Sequence, residues 1–220
     1  MDLRPLVLSF EFSGAAIVIA AVLGTALGAL LAFRRFPGRD VVDVLVTAPM
    51  VMPPTVLGYY VLLALGRRSL VGHLYESVFG TSIVFTATGA VIAATIVALP
   101  LVAKSARAAL EGVDPRLVAA ARTLGASPLR AFSTVQLPLA ARGITAGCVL
   151  GFARALGEFG VTLMVAGNLP GKTQTASLAI YDAIEAGRDD EALALALILT
   201  ALAVVALYAV TKLTAPKDDA

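Results

Sequence analysis

Apolar and polar positions along this chain fall into long blocks. Four windows carry no charged residue: Phe12–Phe33, Val44–Gly66, Ser77–Ala103 and Ala192–Thr211. A fifth apolar region, Gly143–Gly167, is interrupted by Arg154 and Glu158. A helix needs about 20 apolar residues to cross the hydrocarbon core of a bilayer. The blocks therefore predict an all-α polytopic membrane helix bundle of five, at most six, transmembrane helices. None of them shows the period-2 alternation of a membrane strand, which excludes closed barrels. No internal repeat is visible, which counts against the inverted-repeat transporter folds. The chain reads as a single transmembrane domain over residues 1–220.

Prolines punctuate the blocks. Pro49, Pro53 and Pro54 lie within or beside the second run, and Pro100 is expected to end the third. Intramembrane proline frees a carbonyl and kinks a helix. Plain helix geometry and a bend lining a pathway both account for that pattern.

Composition agrees with lipid as the solvent: 59% hydrophobic residues, 15% charged and a mean hydropathy of +0.89. A net charge of +2 is too small to suggest nucleic acid. The single Cys148 and single His73 can build neither a disulfide framework nor a metal site, and no cofactor is expected. The N-terminal MDLRPLVL lacks a basic n-region and a small-residue cleavage pattern, so no cleavable signal peptide is expected. Charge then orients the spans. Residues 104–142 carry six basic residues (Lys104, Arg107, Arg116, Arg122, Arg130, Arg142) against two acidic ones, and are assigned to the cytoplasm. Alternation places Arg34–Asp43 and the C-terminal tail, with Lys212 and Lys217, on the same side. The N-terminus, Arg67–Thr81 and the acidic segment Lys172–Glu191 fall outside. Eleven basic residues are then inside against five outside, with Arg154 in the membrane. Arg67 and Arg68 stand on the side the rule disfavours.

The basic region holds a patterned stretch, Asp114–Pro138. Asp114-Pro115 predicts a helix start, because aspartate caps free N–H groups and proline at the first turn loses none. Leu117, Ala121 and Leu124 share one face, and Ala119-Ala120-Ala121 makes a smooth patch. Gly125 suits a left-handed C-cap. Ser127-Pro128 repeats the start signal, and the second helix is expected to run through Phe132 and Val135 until Pro138. A helix–turn–helix with an apolar face and a basic rim fits two settings: the groove of another protein, or the membrane surface.

The spacing Ala119-Ala120-Ala121, Gly125, Val135, Leu137-Pro138 resembles the coupling motif of ATP-binding-cassette importer permeases. That motif is Glu-Ala-Ala, three residues, Gly, nine residues, then Ile-x-Leu-Pro. Here Ala119 stands where the family has glutamate, so no carboxylate is available at that position. The resemblance implies the type I importer permease fold, with 104–142 as a coupling loop. It further implies that Ala119, Ala120, Ala121, Arg122, Gly125, Ala126, Val135, Leu137 and Pro138 meet a cytoplasmic ATPase. Gly66-Arg67-Arg68, Leu110-Glu111-Gly112-Val113-Asp114, Ala121-Arg122-Thr123-Leu124-Gly125, Arg154-Ala155-Leu156-Gly157-Glu158-Phe159-Gly160 and Gly167-Asn168-Leu169-Pro170-Gly171-Lys172-Thr173 are similar to molybdate permease subunits. The last two segments are shared with sulfate permeases. Gly66-Arg67-Arg68 tilts the reading to molybdate or tungstate, with sulfate or thiosulfate as the alternative. Implied partners are ATP-binding-cassette ATPase subunits, an extracytoplasmic molybdate-binding protein, a second copy of this chain and the lipid bilayer of the inner (plasma) membrane. The resemblance implies no catalytic residue in the chain itself.

Two further features need a reading. Ala166–Thr173 fits a relaxed phosphate-loop pattern, but it leaves a membrane span and carries Pro170 where an N–H is needed, so it is read as a tight turn. Arg154 and Glu158 stand four apart and are expected to pair on one helix face. A charge at the bilayer centre costs about 2.5–3.5 kcal/mol on insertion scales. The pair either locks neighbouring helices or lies along a pathway with Gly157, Gly160 and Asn168. Thr86, Thr88, Thr95 and Thr162 are hydroxyl donors, read mainly as helix-packing groups. A secondary transporter would place titratable groups along the path, where only Glu158 is deeply set. No nucleophile–base or metal constellation supports a membrane enzyme.

Overall fold

A computed structural model describes residues 2–214; Lys217, assigned to the cytoplasm with the C-terminal tail, lies outside them. Every regular element among the described residues is helical. In chain order these are α1 (Arg4–Phe33), α2 (Arg39–Val51), α3 (Pro54–Leu65), α4 (Leu70–Phe79), α5 (Ala87–Glu111), α6 (Pro115–Thr123) and α7 (Pro128–Ala131). A π turn (Phe132–Gln136) follows, and then α8 (Leu137–Leu156), α9 (Gly160–Ala166), α10 (Ala176–Glu185) and α11 (Asp189–Thr214).

Helix α5 is central, packed between α1 and α8. Lipid tails are as apolar as leucine, so helices in a membrane associate through close backbone approach at small residues. On α1, Ala16, Ala20, Gly24 and Gly28 recur every fourth residue and are buried. A Cβ on Gly28 would lie 2.7 Å from the Ala103 carbonyl oxygen of α5. On α8, Gly143, Gly147 and Gly151 repeat the device, and a Cβ on Gly147 would overlap the Ser105 side chain. Gly147→Leu is therefore expected to force α5 and α8 apart. Overpacking of this kind costs about 1–3 kcal/mol, and the loss should appear as a lower thermal midpoint and poor recovery of monodisperse protein from membranes. Gly14→Leu, with nothing within 4 Å of the added Cβ, should behave as the parent chain.

Four helices are long and apolar enough to cross a membrane: α1, α5, the continuous Pro128–Leu156 segment and α11. The fifth expected span differs from a simple kinked helix. The Val44–Gly66 run breaks after Val51, and α2 and α3 are bent 120° from one another. Pro53 and Pro54, adjacent at the break, supply no N–H to continue the ladder. The pair still connects the two ends of the bundle. Asp43 of α2 is ion-paired to Lys104 and Arg107 in the last turns of α5, whereas the residues after α3 share a cleft with Ser82–Phe85, just before α5 begins. The five-span architecture therefore holds, with one span broken.

Two other expectations are corrected. Pro100 does not end the third span: it is buried inside α5, which continues to Glu111. Neighbouring helices on both sides hold the backbone there, as membrane helices allow. The third span begins at Ala87; Ser77–Phe79 belong to α4, which Gly80 terminates at φ +68°. Within 104–142, Lys104 and Arg107 lie on the last turns of α5 and Arg142 on the first turns of α8, so both helices run into this segment.

Candidate functional site

The hairpin forms as its punctuation dictates. The Asp114 carboxylate accepts from Arg116 N at 2.8 Å and starts α6. Gly125 (φ +89°) closes it: Ala126 N donates to Ala121 O at 3.0 Å and Gly125 N to Arg122 O at 3.0 Å. That pair of bonds satisfies the last carbonyls of the helix. Ser127 Oγ accepts from Arg130 N at 3.3 Å and starts α7. The second helix differs from expectation at its end. It is four residues long and runs through the π turn into α8, so Pro138 lies in the first turn of a span. The reason is steric. A proline ring collides with the carbonyl four residues back in a regular helix, and here the ladder has widened, with Leu137 N donating to Phe132 O five residues back. The hairpin is thereby one rod with α8. Its return is also tied to the end of α1 by an edge-to-face contact of Phe33 and Phe132, centroids 6.2 Å apart.

No residue of α6 is buried. Ala119, Ala120 and Arg122 are exposed, Ala121, Ala126, Val135 and Leu137 are half-buried, and Leu124 is 88% exposed. Among the described residues nothing covers this apolar face.

Arg154 and Glu158 are brought together, though not on one helix. Helix α8 ends at Leu156, and Glu158 occupies the break before α9. Arg154 Nη1 donates to Glu158 Oε2 at 2.7 Å, while Val161 N donates to Glu158 Oε1 at 2.9 Å. The carboxylate thus pairs with the guanidinium and caps α9 at once, with its side chain 2% exposed against 43% for Arg154. Glycine makes the break and the contact. Gly157 ends α8, and Gly160 lies so close to α3 that a Cβ would be 2.6 Å from Pro54 Cβ. The Glu158 carbonyl accepts from Ser177 Oγ of α10 at 2.7 Å, and Ala176 N donates to Ser9 Oγ of α1 at 2.8 Å. A polar lock thus joins three elements around the break. Gly151 packs against Ala98 and Val102 near the middle of α5, and the lock follows about two turns later, toward the Ala87 end of α5.

The break between α2 and α3 and the break after α8 meet here. Pro54 and Thr55 of α3 and Arg154, Glu158 and Leu163 line an open cleft of about 320 Å³. Irregular backbone is tolerated at membrane depth where it is buried or lines a hydrated cavity. The cleft offers one guanidinium whose charge Glu158 largely offsets, so it can attract an anion without holding it tightly.

Asn168 is not part of this cleft. It sits beyond α9 in the Gly167–Thr173 turn, and its buried Oδ1 accepts no hydrogen bond among the described residues. In that turn the N–H groups of Lys172, Thr173 and Gln174 all donate to Leu169 O. They are taken up by the turn and cannot cradle a phosphate. Thr86 caps α5 and Thr95 Oγ1 donates to Val91 O at 2.7 Å, so both hydroxyls serve their own helix.

Sequence reasoning missed an ion network at the hairpin end. Asp43 lies between Lys104 Nζ (2.7 Å) and Arg107 Nη1 (2.8 Å), Arg107 Nε reaches Glu111 at 2.9 Å, and Arg39 Nε donates to Leu31 O at 3.0 Å. It ties α2 to the part of α5 that leads into the hairpin. The legible signal was helical spacing, since 104, 107 and 111 share one face.

The chain matches, over residues 6–217, the family described as binding-protein-dependent transport system inner membrane component. It is 41% identical over 205 residues to the molybdenum transport system permease protein ModB of Escherichia coli (strain K12), covering 93% of this chain and 90% of that protein. It is 38% identical over 204 residues to the putative molybdenum transport system permease protein YvgM of Bacillus subtilis (strain 168), covering 93% and 90%. Among solved structures it resembles a chain of the inward-facing MetNI methionine ABC transporter (TM-score 0.69, 20% identity, 97% of this chain and 96% of that one). It also resembles a chain of a bacterial ABC transporter importing alginate (TM-score 0.72, 15% identity, 97% and 80%). These structural likenesses concern the fold.

Proposed function

The chain belongs to the family of binding-protein-dependent transport system inner membrane components, and on that premise we propose that it is the transmembrane permease subunit of an ATP-driven molybdate importer. The observation that carries this reading is the similarity to molybdenum permeases along 93% of the chain. Two copies of the chain form the pathway, two ATP-binding-cassette subunits bind the cytoplasmic hairpins, and an extracytoplasmic binding protein delivers the oxyanion. The N-terminus lies outside and the C-terminus in the cytoplasm. This follows from the basic residues at the hairpin end, from Arg34, Arg35 and Arg39 through Lys104, Arg107, Arg116, Arg122 and Arg130.

The mechanism is alternating access. ATP binding closes the motor dimer and draws the exposed α6 faces inward. Because the hairpin's return is continuous with α8, displacement there is delivered to the Glu158 break. The Asp43 network carries the same displacement to α2 and its break at Pro53-Pro54. The two breaks line one cleft, so it opens to one side or the other as the halves rock, with each state favoured by the ligand it binds better. Arg154, Gly157, Glu158 and Gly160 lie along this pathway, and Asn168 at its distal end. Hydrolysis takes place on the partner subunits.

Uptake by cells lacking their own molybdate permease, supplied with this chain and its partners, tests the assignment. Labelled molybdate should accumulate, and tungstate should compete with it strongly while sulfate competes weakly. Accumulation of sulfate in preference to molybdate would reassign the substrate.

A further inference from the structure

The function leaves Arg67 and Arg68 unexplained: two cations at the end that the charge rule disfavours. They stand on the rim of an open cleft of about 590 Å³, whose walls are mostly apolar, formed by Leu62, Leu63, Val84 and Phe85. Arg67 is 69% exposed and makes only a loose 3.4 Å contact with Glu76. Arg68 makes no ion pair among the described residues.

The neighbouring α4 fixes what this cleft faces. It has ten residues, too few to span, and it presents Leu70, Val71, Leu74 and Val78 outward on one side, each more than half exposed. A short helix with such a face is suited to the plane of a membrane interface, with its apolar residues in the acyl boundary. The Ser69 cap and the Gly80 stop hold it at right register to the loop, since Ser69 Oγ accepts from Gly72 N at 2.9 Å. The cleft thus combines an apolar wall with two guanidiniums at its edge, the pairing that an interface position requires.

We propose that the Gly66–Ser69 loop, with α4, binds an anionic phospholipid, its phosphate between Arg67 and Arg68 and an acyl chain against Leu62, Leu63, Val84 and Phe85. A free tetrahedral anion would leave the apolar walls uncovered, whereas an amphiphile matches both parts. Guanidinium suits the phosphate because its fork donates in pairs. Assigning the lipid to the outer leaflet rests on the proposed orientation; the binding itself does not, and it is read without transport.

The test is native mass spectrometry of the full-length chain, delipidated in detergent and titrated with phosphatidylglycerol or phosphatidylcholine. The parent chain should retain phosphatidylglycerol selectively. The R67Q/R68Q double variant should bind it about 30-fold more weakly, the equivalent of about 1 kcal/mol per arginine near a charged headgroup. R67K/R68K should keep most of the affinity, which separates lost charge from lost fold. Equal binding by the double glutamine variant overturns the proposal. So does displacement of the lipid by millimolar inorganic phosphate or molybdate, which would mark a free-anion site. Crosslinking of α4 to α4 between two copies in lipid also overturns it, since a second copy would then cover the cleft.

Discussion

Ala120→Arg is expected to abolish ATP-dependent import while leaving the chain folded in the membrane. Ala120 is exposed on a helix with no buried residue, and arginine is a good helix former. Exposed substitutions of this kind stay within about 0.5 kcal/mol of the parent, so the thermal midpoint should not move. The cost falls on the partner contact. A small patch between Leu117 and Leu124 can lie flat in a groove, and a long charged side chain there must be desolvated or hold the surfaces apart. Central interface positions carry about 2 kcal/mol or more, so association with the ATPase subunit should weaken at least about 30-fold. Co-purification and uptake measured on the same membranes check this. Undiminished co-purification would remove Ala120 from the contact.

Glu158→Leu should have the second large effect. Both carboxylate oxygens are in use, one on Arg154 and one on Val161 N. Removing one partner of a buried ion pair costs about 3–5 kcal/mol. Arg154 is partly exposed to the cleft, and water there lowers the penalty toward the bottom of that range. The expected result is loss of folded protein, read as a drop in thermal midpoint. Glu158→Gln separates structure from transport. Its amide oxygen can still cap α9, but Arg154 is no longer neutralised. A dianion entering the cleft is then held more strongly, and uptake should slow by about tenfold, equivalent to 1.4 kcal/mol, with the protein still folded. Parental uptake and ATPase coupling in this variant would take Glu158 out of the pathway.

Much of this was legible because membrane helices and caps are local signals. The apolar blocks gave five spans, and Asp114, Gly125 and Ser127 marked the hairpin turns where they occur. What stayed hidden depended on neighbours. Pro100 and Pro138 read as stops because proline breaks an isolated helix; one is buried between two packed helices, and the other is accommodated by a π turn that no local pattern announces. The 120° bend at Pro53 goes with packing of α3 on α9, a contact distant in sequence. The spacing of Arg154 and Glu158 predicted a pair but could not reveal the helix break between them, since Gly157 alone is compatible with either. Asp43 was invisible for a similar reason: its partners lie 61 and 64 residues away.

The central claim is mechanical: a separate motor, engaged by the hairpin, drives the cleft at Glu158. Cys148 is the native cysteine, so a Cys148→Ala background carrying Ala120→Cys gives one attachment point. In proteoliposomes holding this chain, the ATPase subunits and the loaded binding protein, a crosslinker at position 120 should capture the ATPase, and capture should stop molybdate accumulation. Vesicles that import molybdate at full rate while position 120 never reaches the ATPase would contradict the account.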